Sequence, residues 1–237
     1  FWQLSEDNDI NVGESTHYIA GLSYENSSWL IDAELFYKDV KNITEFSLRF
    51  QDTNLNSLFF NGDGEVRGFE TLIQKKMDKY TGWVSYTYID AENIFPLLNY
   101  GDPFPAPNTQ KNEFKIFNNY EINGWNFSLN FIYGSGKAFT EPSYNYSINL
   151  LDESQLDFIG VGPKNGSLLP DYHRLDISVH HIFNIQKSKG DIGISVFNLY
   201  NKINTWYYEY NFDQRPYARQ TKKYLGILPN VSFKLTF

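Results

Sequence analysis

Leu228-Pro229-Asn230-Val231-Ser232-Phe233-Lys234-Leu235-Thr236-Phe237 is the stretch on which the fold turns. Val231, Phe233, Leu235 and Phe237 alternate with Ser232, Lys234 and Thr236. Alternation of period two defines a β-strand with one apolar and one polar face. A terminal strand in a water-soluble domain commonly frays or runs into a polar tail. Here the last residue is a phenylalanine on the apolar face, so that face needs a cover along its whole length. A bilayer supplies one without further chain. A strand packed in a soluble sandwich is the competing arrangement, and the rest of the sequence decides between them.

Composition narrows the choice. The 237 residues suffice for one large β domain or two small ones. No run approaches the 18 or so uninterrupted apolar residues of a transmembrane helix. Aromatic residues nevertheless make up 18% of the chain, with 20 Phe, 18 Tyr and 5 Trp. An excess of large rings in a polar chain suits a transmembrane barrel, whose strands alternate and carry aromatic girdles at both interfaces. The absence of cysteine excludes disulfides and thiolate metal sites. A net charge of −8 with no basic stripe excludes nucleic acid as a partner. Phe1-Trp2-Gln3-Leu4 opens directly into polar residues, so an exported protein would begin upstream of Phe1.

Alternating segments recur along the chain. After a polar opening of residues 1–14 come strands at 16–25 and 29–38, the second expected to continue towards Phe50. Others follow at about 65–77, 83–89, 114–120, 125–133, 174–183, 191–200 and from about 223 to Phe237. The strand at 191–200 is expected to extend through Trp206-Tyr207-Tyr208, and Gly62 to Gly68 reads as a loop entering a strand rather than a nucleotide loop. The breaks alternate in length: 26–28, 78–79, 122–124 and 185–190 are short, whereas 51–62, 92–110, 135–170 and 201–222 are long. Asn123-Gly124 is the favoured pair for a tight hairpin. A sandwich has no reason to sort its loops by length, whereas outer-membrane barrels have short periplasmic turns and long extracellular loops. Lipid forbids exposed sheet edges, so such strands belong to a closed antiparallel transmembrane β-barrel. About nine strands is an odd number, and bacterial single-chain barrels use even ones. Residues 1–237 are therefore expected to be the C-terminal portion of one larger barrel domain.

The chain resembles the C-terminal barrel portion of TonB-dependent outer-membrane receptors. The resemblance rests on Leu30 to Lys38 (LIDAELFYK), Gly64 to Glu70 (GEVRGFE), Trp83 to Tyr88 (WVSYTY), Pro170 to Val179 (PDYHRLDISV), Val196 to Lys202 (VFNLYNK) and the phenylalanine-terminated last strand. It implies a 22-stranded barrel in the outer membrane with a plugged lumen. It also implies a plug domain and a TonB-contacting segment, both outside these residues. The implied function is import of a bulky nutrient: a glycan, siderophore or peptide. The alternative is a structural or assembly subunit of an outer-membrane complex that uses a receptor-like barrel without transport. Outer-membrane lipids and a surface lipoprotein are the further partners expected.

Individual residues carry narrower expectations. Asp32 and Glu34 share a strand face, as do Arg174, Asp176, Ser178 and His180, and all are expected to line the lumen and meet the plug. Two carboxylates this close also occur in glycosidases, but alternating polar residues are what a wet barrel interior requires. His180 and His181 are adjacent and point to opposite faces, so they cannot chelate one metal; no metal, cofactor or catalytic group is expected. Trp206, Tyr207, Tyr208 and Tyr210, with Phe212, form a cluster at the extracellular end suited to stacking on a ligand or partner, or to an interfacial girdle. The long loop 135–170 is the other candidate for contact. Ile31, Leu35, Phe127, Leu129, Leu175, Val179, Phe233 and Leu235 should face lipid, and Asp32, Glu34, Ser128, Arg174, Asp176 and Lys234 the lumen. Val231, Phe233, Leu235 and Phe237 are expected to form the signal read by the barrel-assembly machinery.

Overall fold

The computed structural model describes residues 11–46, 59–151, 155–186, 188–212 and 218–237. In chain order its strands are β1 (Glu14–Glu25), β2 (Trp29–Phe46), β3 (Phe59–Met77), β4 (Tyr80–Ile94), β5 (Phe104–Pro105), β6 (Asn112–Ile122), β7 (Trp125–Gly134) and β8 (Ala138–Phe139). They continue as β9 (Pro142–Asn149), β10 (Gln155–Val161), β11 (Ser167–Leu168), β12 (Tyr172–Ile185), β13 (Ser188–Phe197), β14 (Thr205–Asn211), β15 (Ala218–Lys223) and β16 (Leu228–Thr236). Nine of them form one antiparallel wall in the order β1-β2-β3-β4-β6-β7-β12-β13-β16, with β5 added beside β4. Sequence neighbours pair throughout except where the small hairpins intervene, as in an up-and-down barrel.

At one end the strands are joined by minimal turns. Asn26 Oδ1 accepts the backbone N–H groups of Ser28 (2.8 Å) and Trp29 (2.9 Å), closing the first as an Asx turn. Ile122 pairs directly with Trp125 across Asn123 (φ 49°) and Gly124 (φ 81°), both left-handed. That is the geometry whose twist matches a hairpin, and the reason Asn-Gly stands there. Met77 pairs with Tyr80, and Ile185 with Ser188.

Register assigns the faces, because directly paired residues share a side of the sheet. Leu35, Phe69 and Tyr88 form one outward row. Ile116, Phe131 and Leu175 form another, and Val179, Ile194 and Val231 a third. Every residue expected to meet lipid lies on this face, and every residue expected to meet the lumen lies on the other. Rings bound the outward band at both ends: Trp29 and Tyr37, Tyr80 and Tyr88, Trp125 and Tyr133 each delimit nine residues, about the length of a tilted spanning strand.

Within the band a polar intruder is neutralised locally. Asn118 lies outward beside Leu129, and its Oδ1 accepts the Tyr80 hydroxyl at 2.5 Å. The Tyr80 side chain reaches it by lying over Gly82, where a Cβ would stand 2.3 Å from that hydroxyl. Glycine here lets one phenol satisfy an amide that would otherwise face hydrocarbon.

Beyond the band the structure departs from the sequence reading. Phe59–Gly62, expected as loop, begin β3, and Gly62 to Gly68 lie within that strand rather than leading into it. Residues 92–94 extend β4. The loop 135–170 contains a β9–β10 hairpin and the short β8–β11 pair. The turn at 185–190 shrinks, because Lys189 and Gly190 are already paired. The reason is common to all: where both faces meet water, a strand has no alternation to betray it. The expected extensions and loops at 1–10, 47–58 and 213–217 lie outside the described residues.

The expected extension of β13 through Trp206 is also corrected. The strand ends at Phe197, and Asn198 turns the chain with φ 55°. Fully buried, its Oδ1 accepts Lys202 N at 2.9 Å, and its Nδ2 donates to the carbonyls of Lys202 (2.9 Å) and Leu225 (3.2 Å). Asp176 Oδ1 accepts Asn198 N at 2.9 Å. Asn204 exchanges two bonds with the His173 backbone, and Asn201 Oδ1 accepts Ile227 N. Three asparagines thus fasten the β13–β14 connection, and β14 starts afresh as a hairpin with β15. A separate packed cluster covers the loop end of β3 and β4: Phe60, Phe95 and Phe104, with Ile43 and Leu98.

Candidate functional site

The inward face of the wall is polar and cross-braced. Arg174 Nε donates to Asp176 at 3.0 Å, and its guanidinium lies 4.0 Å from the Phe197 ring centroid. Its Nη1 also donates to the Tyr172 hydroxyl at 2.8 Å. His180 Nδ1 lies 3.2 Å from Asp191 Oδ1, two rows nearer the turns. Asp32 stands beside Leu72, and Glu34 is paired directly with Glu70, like charge facing like charge. The face therefore holds the expected lumen residues Asp32, Glu34, Arg174, Asp176 and His180, but as separate groups. His181 points the other way and stacks on Trp125, with centroids 4.3 Å apart. Among the described residues no cluster of three or more His, Asp or Glu is placed to hold a metal ion.

Towards the loop end this face opens into a cleft of about 310 Å³. Its floor is the inward side chains of Glu113, Lys115 and Ile132; one side is the stem of the long loop, including Lys137 and Leu169; the other is Trp206 and Tyr224, with Tyr172 at the base. Tyr172 meets Tyr224 edge-on at 5.5 Å and 79°, and Trp206 leans on Tyr224 at 5.8 Å and 36°. Lys115 Nζ is 2.6 Å from Glu113.

The aromatic cluster read from the sequence divides. Trp206 lines the cleft and is 56% exposed. Tyr208 packs on Phe139 (5.5 Å) under the Arg219 guanidinium (4.4 Å), and Tyr210 donates to Glu141 Oε1 at 3.2 Å. Tyr207 meets Trp206 edge-on at 5.0 Å but does not line the cleft. Glu141 also takes Arg219 (3.3 Å) and the Ser167 hydroxyl (3.1 Å), so one carboxylate fastens the β14–β15 hairpin to the long loop. Burial, and next the Glu141 carboxylate, push the Tyr210 phenol above its ordinary pKa. The long loop is tied in turn to its other neighbours: Lys164 pairs with Glu45, and Asn99 exchanges two bonds with the Lys164 backbone.

Sequence reasoning missed Lys137, Tyr224, Glu113, Lys115 and Glu141. The polar alternation of Glu113 and Lys115 within β6 was a usable signal. For the other three, assembly depends on loop packing between residues up to 87 positions apart, Lys137 and Tyr224 being the extreme.

A wall with one apolar face bounded by rings, one braced polar face, tight turns at one end and structured loops at the other is part of a transmembrane β-barrel. The family model described as "TonB dependent receptor-like, beta-barrel" matches residues 10–199, and the chain belongs to that family. No curated protein sequence matches it. Among solved structures it is similar to the ferric citrate transporter FecA in its unliganded form, at 17% identity and TM-score 0.60, covering 94% of this chain and 31% of that one. The ferripyoverdine receptor of the Pseudomonas aeruginosa outer membrane gives 12% identity and TM-score 0.60, covering 94% and 27%. The copper transporter OprC gives 16% and 0.59, covering 96% and 32%. The chain spans about a third or less of the length of each.

Proposed function

We propose that these residues form the ligand-bearing wall of an outer-membrane receptor that imports a bulky nutrient, a glycan, siderophore or peptide, driven by TonB. The observation that carries this reading is the placement of the cleft. It opens on the polar face of a wall whose opposite face is a lipid-ready band, so a ligand held there lies at the extracellular mouth of the lumen. The apolar band meets outer-membrane lipid, and the tight turns lie on the periplasmic side. Val231, Phe233, Leu235 and Phe237 act as the assembly signal on the outward face of the last strand.

The inward groups Asp32, Glu34, Arg174, Asp176 and His180 face the plug. Glu34 and Glu70 favour a cationic partner, since like charges directly opposite in a sheet repel at a Cβ separation of roughly 5 Å. The β9–β10 hairpin, with Ile148, Leu151 and Phe158 exposed, is the surface offered to a lipoprotein.

The test is uptake by cells carrying the full-length protein, with and without TonB. Trp206→Ala and Tyr224→Ala should reduce TonB-dependent uptake while leaving surface levels unchanged. Uptake that persists without TonB refutes the reading. A fully assembled barrel with no uptake that co-purifies with a larger complex favours the structural-subunit alternative.

A further inference from the structure

The charge and shape of the loop-end cleft specify more than a generic ligand. We infer that it takes a ring-bearing organic anion of single negative charge, a uronic saccharide or an aryl carboxylate; this rests on the cleft being the receptor's ligand site.

The rings set the shape. Trp206, Tyr224 and Tyr172 form inclined faces rather than a closed stack, with interplanar angles of 36° and 79°. Trp206, 56% exposed, is not consumed by packing and offers a broad face to a planar ring or to the C–H face of a pyranose. Pockets of this kind bind through apolar walls and a few placed polar groups.

The charges set the sign and the number. Lys115 is held at 2.6 Å by Glu113, and Arg174 is spent on Asp176 and the Tyr172 hydroxyl. Lys137, on the loop stem, makes no ion pair among the described residues. Two lysines against one glutamate leave a single positive charge. A doubly charged phosphate would leave one charge uncompensated in a half-desolvated cleft, which is costly; a carboxylate is matched. Lysine suits this task, being a compact point charge with three donors. A neutral sugar would leave Lys137 unused, and an inorganic anion would leave the rings unused.

The experiment is calorimetric titration of the full-length receptor in detergent with the monoanion galacturonate against neutral galactose, and with 2,3-dihydroxybenzoate against catechol. One charged probe should bind roughly tenfold more tightly than its neutral counterpart at low salt, and the ratio should fall as salt rises. Lys137→Met should reduce the charged probe to the level of the neutral one. Trp206→Ala should weaken both members of a pair alike. Which charged probe binds distinguishes the saccharide from the aryl source. Equal binding of charged and neutral probes overturns the inference, as does a ratio unchanged by Lys137→Met; a Trp206→Ala defect in those cases still supports the cleft as the ligand site. If no probe binds, or Trp206→Ala changes nothing, the ligand-site reading falls as well.

Discussion

Leu129→Arg tests the two faces most directly. Leu129 sits on the outward face, midway between Trp125 and Tyr133, the rings that bound the band on β7. Its register partners are Ile177 on one side and Asn118 on the other. A charge there lies at the bilayer midplane, at a cost of roughly 2–4 kcal/mol. At 1.36 kcal/mol per decade, that is on the order of a 30- to 900-fold loss in the folding equilibrium. Ser128, the next residue, faces inward and donates to Asn119 at 2.7 Å; arginine there meets water and other polar side chains and should cost well under half as much. The assay is urea-dependent folding of the full-length receptor into lipid vesicles, with heat-modifiable gel mobility as a check on outer-membrane assembly. Equal shifts for Leu129→Arg and Ser128→Arg would refute the assignment of faces, and with it the barrel.

Gly82→Ala should displace Tyr80 and strand the Asn118 amide in lipid, costing about 1–3 kcal/mol in the same folding assay; a Tyr80→Phe variant should lose a similar amount, and a neutral result for both would remove the rescue. Asn198→Ala leaves a buried turn with unpaired backbone groups and a left-handed φ without its amide, so about 2–4 kcal/mol of stability should go, read by thermal unfolding. The Tyr210 phenol, whose pKa is raised in the folded state, favours docking of its hairpin below about pH 10, the ordinary tyrosine pKa. That contribution should vanish as pH rises through the folded value, so protease cutting within 205–223 should show an alkaline step that Tyr210→Phe lacks. Replacing Glu34 and Glu70 together by glutamine should loosen the plug in the full-length protein, seen as faster plug proteolysis; unchanged protection would argue that no cation faces them.

How much of this could be read from the sequence depended on which solvent each segment meets. Inside the band, lipid on one side and water on the other impose alternation, and Trp125 to Tyr133 or Arg174 to Phe183 are legible at sight. Beyond the band, before Glu65 on β3 or past Ile89 on β4, both faces are wet, and the signal ends although the strands do not. Hence β9 and β10 hid within an apparent loop. The Phe197-Asn198-Leu199-Tyr200-Asn201 stretch was visible as a pattern but not as a turn, since what makes Asn198 a corner is a set of backbone partners at Lys202 and Leu225. In the cleft, Trp206 could be nominated as a prominent ring. Lys137 and Tyr224 could not, because loop packing rather than local sequence brings them beside it.

The difference between the two ends of the wall has a consequence for how such a chain can change. Between Ile122 and Trp125 there is room for only Asn123 and Gly124, so one inserted residue would exchange the faces of an adjoining strand and send its rings into water. Insertions and deletions at that end should therefore be purged almost without exception. At the other end the connections already include small hairpins fastened by side chains rather than by register, and they can lengthen or be replaced without disturbing a spanning residue. On the proposed receptor reading, variation is thus channelled to the extracellular side, where new ligand preferences can be sampled while the scaffold is inherited intact.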